Sequence, residues 1–325
     1  MKKKPRIAIS AVSIASLALP WPAIAEPVPD RPVPYICLGS DGAEKPLDLS
    51  SFIGPADPAV IEMFAGAGAS DISGYNLTAD ERDILDDALA SLPRLHRDVL
   101  RRHLRRISFL DLQPGSGSAL TSRAGLDDAS TQFDITLKAS LLEETLTRFL
   151  NAKEARLFAD DGSGLSVAFD AGNSDALTYV LLHEATHIVD QIHGLSNDEA
   201  GPFRVGVWDD LRSPAEPHAS SLVMNTPFRG KPPVPFGDAP GFYEALRASP
   251  FVSFYSTAAA TEDLAELVAW QQLASRLGQS LTLRIRDDEG RTVHQYEPLK
   301  SPEVQTRFEA MQAFLERYER GCPID

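Results

Sequence analysis

The chain has 325 residues, with 31 basic and 46 acidic side chains and a formal net charge of −15. An acidic protein of this kind is a poor candidate for binding nucleic acid, which requires positive charge to neutralise phosphates. Hydrophobic residues make up 43% of the chain, which is ordinary for a globular protein and excludes a disordered or collagen-like one.

The first 25 residues have the pattern of an export signal. A basic stretch at 2–6 precedes a short apolar run at 7–19, and Ala23-Ile24-Ala25 supplies a small-residue cleavage site. The apolar run is shorter than the ~20 residues of a membrane span, and the alternative is a retained anchor. We predict an exported protein, periplasmic or secreted, with no stable membrane insertion after cleavage. Cleavage would remove four of the 31 basic residues and no acidic one, so 27 against 46 leaves a net charge of −19.

The chain has two cysteines, Cys37 and Cys322, near its two ends. In an exported protein, an isolated pair predicts one disulfide, which would join the N-terminal segment to the C-terminus. The alternative is two unpaired buried thiols. Cysteines so far apart make a poor zinc or redox motif, so the chemistry of the protein is expected elsewhere.

Hydrophobic periodicity and capping residues predict an α+β fold with a mixed sheet and a helical N-terminal subdomain. Thr78 followed by Glu81 is a capping box that begins a helix reaching about Ser91. Gly194 and Gly278 end two later helices. In chain order, we predict helices at 78–91 and 93–106, strands at 133–137 and 165–169, helices at 174–193 and 258–277, a hairpin at 281–296 and a final helix from 302.

His183-Glu184-Ala185-Thr186-His187 is an HExxH motif in the middle of the helix predicted at 174–193. Residues four apart on a helix lie about 40° apart around its axis, so His183 and His187 can reach one ion. Glu184 lies on a neighbouring face, where it can act on a metal-bound water. The motif is typical of zinc hydrolases, with two histidine ligands and a glutamate base.

A catalytic zinc site needs a third protein ligand, and Glu262 is the first candidate. It begins Glu262-Asp263-Leu264-Ala265-Glu266 on the helix predicted at 258–277. Glu262 and Glu266 share a helical face, so one can bind the metal while the other supports a histidine. The alternative is a pair of solvated acids in a first helical turn, where the helix dipole favours them.

The second candidate for the third ligand is His193. Its spacing from the two histidines equals that of the metzincin motif HExxHxxGxxH, and Met224 is available for a Met-turn. Asp190, however, replaces the glycine at which the metzincin chain turns. In an uninterrupted helix, His193 is rotated by about 240° from His187 and faces away from the metal, so we prefer Glu262.

The segments HEATHIVDQIHG and FYSTAAATEDLAE resemble the gluzincin-type zinc metallopeptidases related to the peptidase domain of anthrax lethal factor. The pattern of that family is HExxHxxD, then a tyrosine, then seven residues later the first glutamate of ExxxE. The resemblance covers the chain from Ser174 to Trp270. Thr186 stands where a small residue is usual, and the stretch between His187 and Glu262 is longer, which leaves the substrate preference open. The resemblance implies one Zn²⁺ held by His183, His187 and Glu262, with Glu184 as general base, Tyr255 facing the reaction centre, and Glu266 and Asp190 supporting the ligands.

The resemblance also implies a zincin-like domain with a mixed sheet and an active-site helix. We therefore expect a signal peptide at 1–25, a strap and helical subdomain at 26–125, and a catalytic domain at 126–325. The expected activity is hydrolysis of a peptide or protein substrate. By the same resemblance, the strand at 165–169 would hold an extended substrate by edge pairing. Tyr255 would stabilise the oxyanion, unless it is an ordinary half-buried tyrosine.

Two other functions stay open. One is a metzincin-like peptidase with His193 as third ligand. The other is a non-catalytic exported binding protein on a zincin fold, which would use the aperiodic segment at 201–241 to contact a partner. Its candidate contact residues are aromatic or basic: Phe203, Trp208, Phe228, Arg229, Lys231 and Phe236.

Overall fold

The computed structural model describes residues 52–124, 130–226, 228 and 233–319. The predicted signal peptide at 1–25, both cysteines (Cys37 and Cys322), and Arg229 and Lys231 lie outside the described residues. Export and the disulfide therefore stay predictions. Within the described part, no helix has the length and apolar character needed to cross a membrane.

The described residues form an α+β fold, as predicted. The helices are α1 (Pro58–Gly66), α2 (Ala79–Ala90), α3 (Arg94–His103), α4 (Leu146–Glu154), α5 (Ala176–His193), α6 (Ala239–Arg247), α7 (Ala260–Leu277) and α8 (Pro302–Glu319). The strands are β1 (Ser73–Tyr75), β2 (Leu104–Asp111), β3 (Ala119–Arg123), β4 (Phe133–Lys138), β5 (Phe158–Ala159), β6 (Ser166–Asp170), β7 (Val234–Pro235), β8 (Thr282–Arg286) and β9 (Thr292–Tyr296).

The main sheet is mixed and has the strand order β1-β2-β4-β3. β2 and β4 are parallel, while β3 pairs antiparallel with β4 and places Thr121 opposite Ile135. β3 is therefore an outer strand, and α5 packs on β3 and β4. The sheet crosses the predicted boundary at residue 125, since β2 and β3 precede it and β4 follows it.

The remaining strands form two small sheets. The predicted hairpin is confirmed as β8 and β9, and β6 pairs antiparallel with β8. β5 and β7 form a short parallel pair. The strand expected to hold substrate is therefore β6, at the outside of a three-stranded sheet that is separate from the main sheet.

α5 is the central helix of the core. Residues 176–190 are buried without interruption, which explains their nearly continuous apolar sequence. Asp175 caps the first turn by accepting a hydrogen bond from the backbone N–H of Thr178 at 2.6 Å, and Gly194 ends the helix with φ of 67°. α2, α3 and α4 pack against α5, as does α7. The position of α5 is thus set by contacts with several elements.

The prediction of a helix at 93–106 is wrong for the last turn of that helix. α3 ends at His103, and Leu104 is the first residue of β2. Ile107 and Phe109 are buried in the sheet, where they lie opposite Ile135 and Leu137 of β4. Pairing with a strand that follows later in the chain outweighs the local helical pattern. The capping box of Thr78 and Glu81 is confirmed at the start of α2.

A buried histidine joins α3 to α5. The Thr186 hydroxyl donates to the Leu182 carbonyl at 2.7 Å, so His96 donates through Nε2 to Thr186 Oγ1 at 3.0 Å. Its Nδ1 atom has no hydrogen-bond partner among the described residues. Burial lowers the pKa of His96 to about 3, and nearby positive charge adds to the effect. His96 is therefore a neutral part of the packing.

We expect His96 to make the protein less stable in mild acid. Between pH 6.5 and about 3, the unfolded chain binds a proton at this histidine and the folded chain does not, so the free energy of unfolding falls as the pH falls. The loss is at most about 1.4 kcal/mol per pH unit. Urea unfolding at pH 7 and pH 5 tests this, with His96→Gln as the comparison, because its amide keeps a donor and does not titrate. An equal acid loss in both proteins would contradict the prediction.

Candidate metal centre

Two histidines of α5 meet a glutamate of α7. His183 Nε2 lies 3.2 Å from His187 Nε2 and 3.0 Å from Glu262 Oε2, and His187 Nε2 lies 3.5 Å from the same Glu262 oxygen. The donor atoms of these three residues all lie within 4.8 Å of one another. Both histidines are buried and Glu262 is half-buried. This group could hold a metal ion, and no second group of this kind occurs among the described residues.

The two helices bring the group together in a simple way. His183 and His187 are one turn apart on α5, so their side chains project in the same direction. α7 packs along α5, and Glu262 lies in its first turn. A carboxylate at a helix N-terminus is favoured by the helix dipole, so Glu262 can remain ionised there.

The charges of the group are strongly coupled. Burial disfavours a charged His183, but hydrogen bonds to Glu262 and Glu266 outweigh burial and raise its pKa to about 10. Burial opposes ionisation of Glu262 in the same way, yet the charge of His187 and the hydrogen bond from His183 hold the pKa of Glu262 well below its usual range. The carboxylates of Glu262 and Glu266 are therefore stabilised by a positive charge between them, which either a proton or a metal cation can supply.

Glu266 supports His183 from behind. Its Oε1 atom lies 3.1 Å from His183 Nδ1 and accepts a hydrogen bond from the Tyr179 hydroxyl, while Ser253 donates to Oε2 at 2.5 Å. Burial opposes its ionisation, but the charge of Lys153 and the contact with His183 lower the pKa of Glu266 to about 2. With Nδ1 directed at this carboxylate, His183 presents Nε2 to Glu262.

Tyr255 lies beside the group, in the short 3₁₀ turn that precedes α7. Its ring is nearly parallel to the ring of His183, with centroids 5.4 Å apart and an interplanar angle of 9°. Phe228 packs on it at 4.8 Å, and Lys153 Nζ lies 4.1 Å from its centroid. Tyr255 is thus placed next to a predicted ligand, and its catalytic role stays a prediction.

Asp190 and His193 lie farther along α5. Asp190 accepts hydrogen bonds from the backbone N–H of Ser196 at 2.7 Å and from its hydroxyl at 2.6 Å, which fixes the turn after the helix. Burial raises the pKa of Asp190. α5 continues without a break to His193, where burial lowers the pKa of the imidazole to about 4. The geometry therefore brings Glu262, and not His193, to the two histidines.

One contact of Glu184 was not predicted from the sequence. Thr121 of β3 donates to Glu184 Oε2 at 2.7 Å, and its hydroxyl also lies 3.1 Å from the Glu184 carbonyl. Both residues are buried. Thr121 belongs to no motif, and only the pairing of β3 with β4 places it over α5. Strand order is a non-local property, so the sequence pattern around Thr121 contains no signal for this contact.

Two of the aromatic residues predicted to contact a partner are buried. Phe203 is 5% exposed and Trp208 is 3% exposed. Phe203 stacks edge-on against Phe314 of α8, and Trp208 against Phe251. These two side chains belong to the core and are not available to a partner. Met224 packs beside the same apolar cluster as Trp208.

Comparison of the chain with known proteins gives no match. No model of a protein family, no curated protein and no solved structure matches the chain.

We expect the purified protein to bind about one zinc ion per chain, because two histidines and one glutamate with clustered donor atoms are a common set of zinc ligands. Glu262→Ala should lose the ion or bind it much more weakly, because it removes one of the three donors. His193→Ala is the matched control and should keep the metal, since His193 lies outside the group. Metal analysis after dialysis measures the content. Loss of zinc in His193→Ala with retention in Glu262→Ala would reverse the assignment.

Proposed function

We propose that this protein is a zincin-like, zinc-dependent peptidase that hydrolyses peptide bonds, with Glu184 as the general base. The observation that carries the proposal is the cluster of His183, His187 and Glu262. Tetrahedral zinc with bonds of about 2.0–2.2 Å places its ligand atoms about 3.3–3.6 Å apart. The donor atoms lie 3.0–3.5 Å apart, and two imidazoles with one carboxylate are a donor set that zinc prefers.

The resident side chains have distinct tasks in this proposal. Zinc bound by the three ligands would lower the pKa of its water towards ~7 and polarise a substrate carbonyl. The Glu184 carboxylate accepts the proton of the attacking water and passes it to the leaving amine. Thr121 holds one Glu184 oxygen at 2.7 Å and fixes the orientation of the base. The Tyr255 hydroxyl donates to the developing oxyanion.

β3 is the strand best placed to align a substrate. It is an outer strand of the main sheet, and no described strand pairs with its other side. Its residue Thr121 touches Glu184, so a peptide added to this edge would run past the base. β6, the strand expected from the sequence, lies in a different sheet. We also propose export of the protein, on the pattern of residues 1–25.

Glu184→Gln should abolish peptide hydrolysis, because an amide cannot accept the proton from water. Zinc content should stay unchanged, since Glu184 is not one of the three ligands. Cleavage of a degenerate peptide library, followed by mass spectrometry, measures the activity, and a chelator should block cleavage by the wild type. Full activity in the variant would remove Glu184 from the mechanism.

Thr121→Val should lower kcat roughly tenfold or more, because it removes a hydrogen bond to a charged group while preserving side-chain volume. Thr121→Ser keeps the hydroxyl and should retain most of the rate. Both variants should bind zinc as the wild type does, because Thr121 touches Glu184 and no ligand. Equal rates for the valine and serine variants would mean that the hydroxyl does not position the base.

A further inference from the structure

Asp263, the residue after Glu262, lies at a buried junction of three parts of the chain. The Arg307 guanidinium of α8 donates two hydrogen bonds to its carboxylate, at 2.9 and 2.8 Å. The indole N–H of Trp208 donates a third at 2.9 Å. Asp263 is 1% exposed, Trp208 3% and Arg307 7%. Three donors converge on this one buried carboxylate, two of them from a single guanidinium, so the junction has a defined geometry.

Trp208 belongs to the inserted segment, which we define as residues 195–226 between the two histidines and Glu262. The backbone of this segment also holds α7. The helix has no side-chain cap, and the N–H of Ala260 in its first turn donates to the Leu211 carbonyl at 3.0 Å. The segment is itself tied to α8, because Arg307 donates to the Phe203 carbonyl at 3.3 Å. The inserted segment therefore reaches α7 twice within its first turn.

The junction constrains the direction of Glu262. Neighbouring residues on an α-helix are rotated by about 100°, so fixing Asp263 on one side of α7 fixes the side from which Glu262 projects. Glu262 reaches His183 at 3.0 Å from that side. A helix that begins without a side-chain cap is free to fray or rotate in its first turn unless other contacts hold it. The contacts with Leu211, Trp208 and Arg307 are in the right place to prevent this.

We infer that Asp263 is a positioning residue for the metal centre, and that the inserted segment acts as a brace which sets Glu262 before metal binds. This inference rests on the proposed metal site. Ion pairs buried this deeply add little net stability, since desolvation offsets their attraction, so we assign the pair of Asp263 and Arg307 a role in the arrangement of the parts that it joins. In this arrangement, the carboxylate of Glu262 is directed at His183 and His187.

Two variants test the inference on the whole protein. Asp263→Asn keeps the shape of the side chain but weakens the contact with Arg307. Trp208→Phe removes one N–H donor and changes no charge, so an effect there reports position and not the electric field at the metal. Zinc affinity is measured by competition with a chromophoric chelator, and the visible spectrum of the Co²⁺-loaded protein reports the ligand geometry. We expect Asp263→Asn to weaken zinc binding roughly 10- to 100-fold and Trp208→Phe to weaken it less, both with altered Co²⁺ bands.

Asp134→Asn is the matched control. Asp134 is a buried aspartate of β4 that pairs with Arg105, and it points away from α5 because Phe133 and Ile135 pack on the core side. It should lose stability in urea without any change in zinc affinity or Co²⁺ spectrum.

Each outcome of the experiment has a distinct meaning. Wild-type zinc affinity in both Asp263→Asn and Trp208→Phe overturns the inference and leaves the proposed function intact. A loss of affinity in Asp134→Asn as large as that in Asp263→Asn also overturns it, because the effect is then a general loss of stability. If Asp263→Asn does not fold, Trp208→Phe decides alone. A wild-type protein that binds no zinc would overturn the proposed function, and this inference with it.

Discussion

The structure depends on the burial of two acidic and two basic groups between α5 and α7. Glu262 and Glu266 are one turn apart on α7 and contact the imidazole of His183 on its two nitrogens. In a medium of low dielectric constant, unpaired charges of this kind are strongly unfavourable, so each carboxylate must keep its partner. These contacts, together with the apolar core shared by α5 and α7, constrain the distance and the rotation of the two helices.

The need to pair each buried charge also explains the hydrogen bonds around Glu266, which lies behind His183. Glu266 is surrounded by donors, from Tyr179, Ser253 and His183, and the charge of Lys153 on α4 further favours its ionised form. The contact between Glu266 and Nδ1 sets the orientation of the His183 ring. Its Nε2 atom is then directed at Glu262 and His187. A ligand held in this way loses little conformational entropy when it binds a metal. The hydrogen bonds behind the ligands therefore matter as much to the proposed site as the ligands themselves.

Local patterns in the sequence predicted five of the eight described helices and the residues that cluster between α5 and α7, and failed where pairing is non-local. α5, α7 and the β8–β9 hairpin were predictable because each has its own local periodicity, and a glycine ends each of the two helices. The spacing in HExxH predicted that His183 and His187 lie together, whereas the sequence left Glu262 and His193 as alternative neighbours and the packing of α7 on α5 brings Glu262 to them. The strands β2 and β3 were not predicted, because their partner β4 comes later in the chain and sets their conformation. Thr121 and Lys153 were missed for the same reason: no spacing relates them to the motif. Asp263 was overlooked because an acid in the first turn of a helix is usually solvated.

The long stretch between His187 and Glu262 contributes contacts that hold the first turn of α7. The two histidines lie on one continuous helix, α5, and Glu266 of α7 contacts the ring of His183. Glu262 is placed by a second helix whose first turn lacks a side-chain cap, so its position depends on what packs there. The inserted segment provides the carbonyl of Leu211 and the indole of Trp208 at that turn. A shorter connection would have to replace both contacts to hold the carboxylate at 3.0 Å from His183. The long connection between His187 and Glu262 thus contains the residues that hold the first turn of α7, which carries the proposed third ligand.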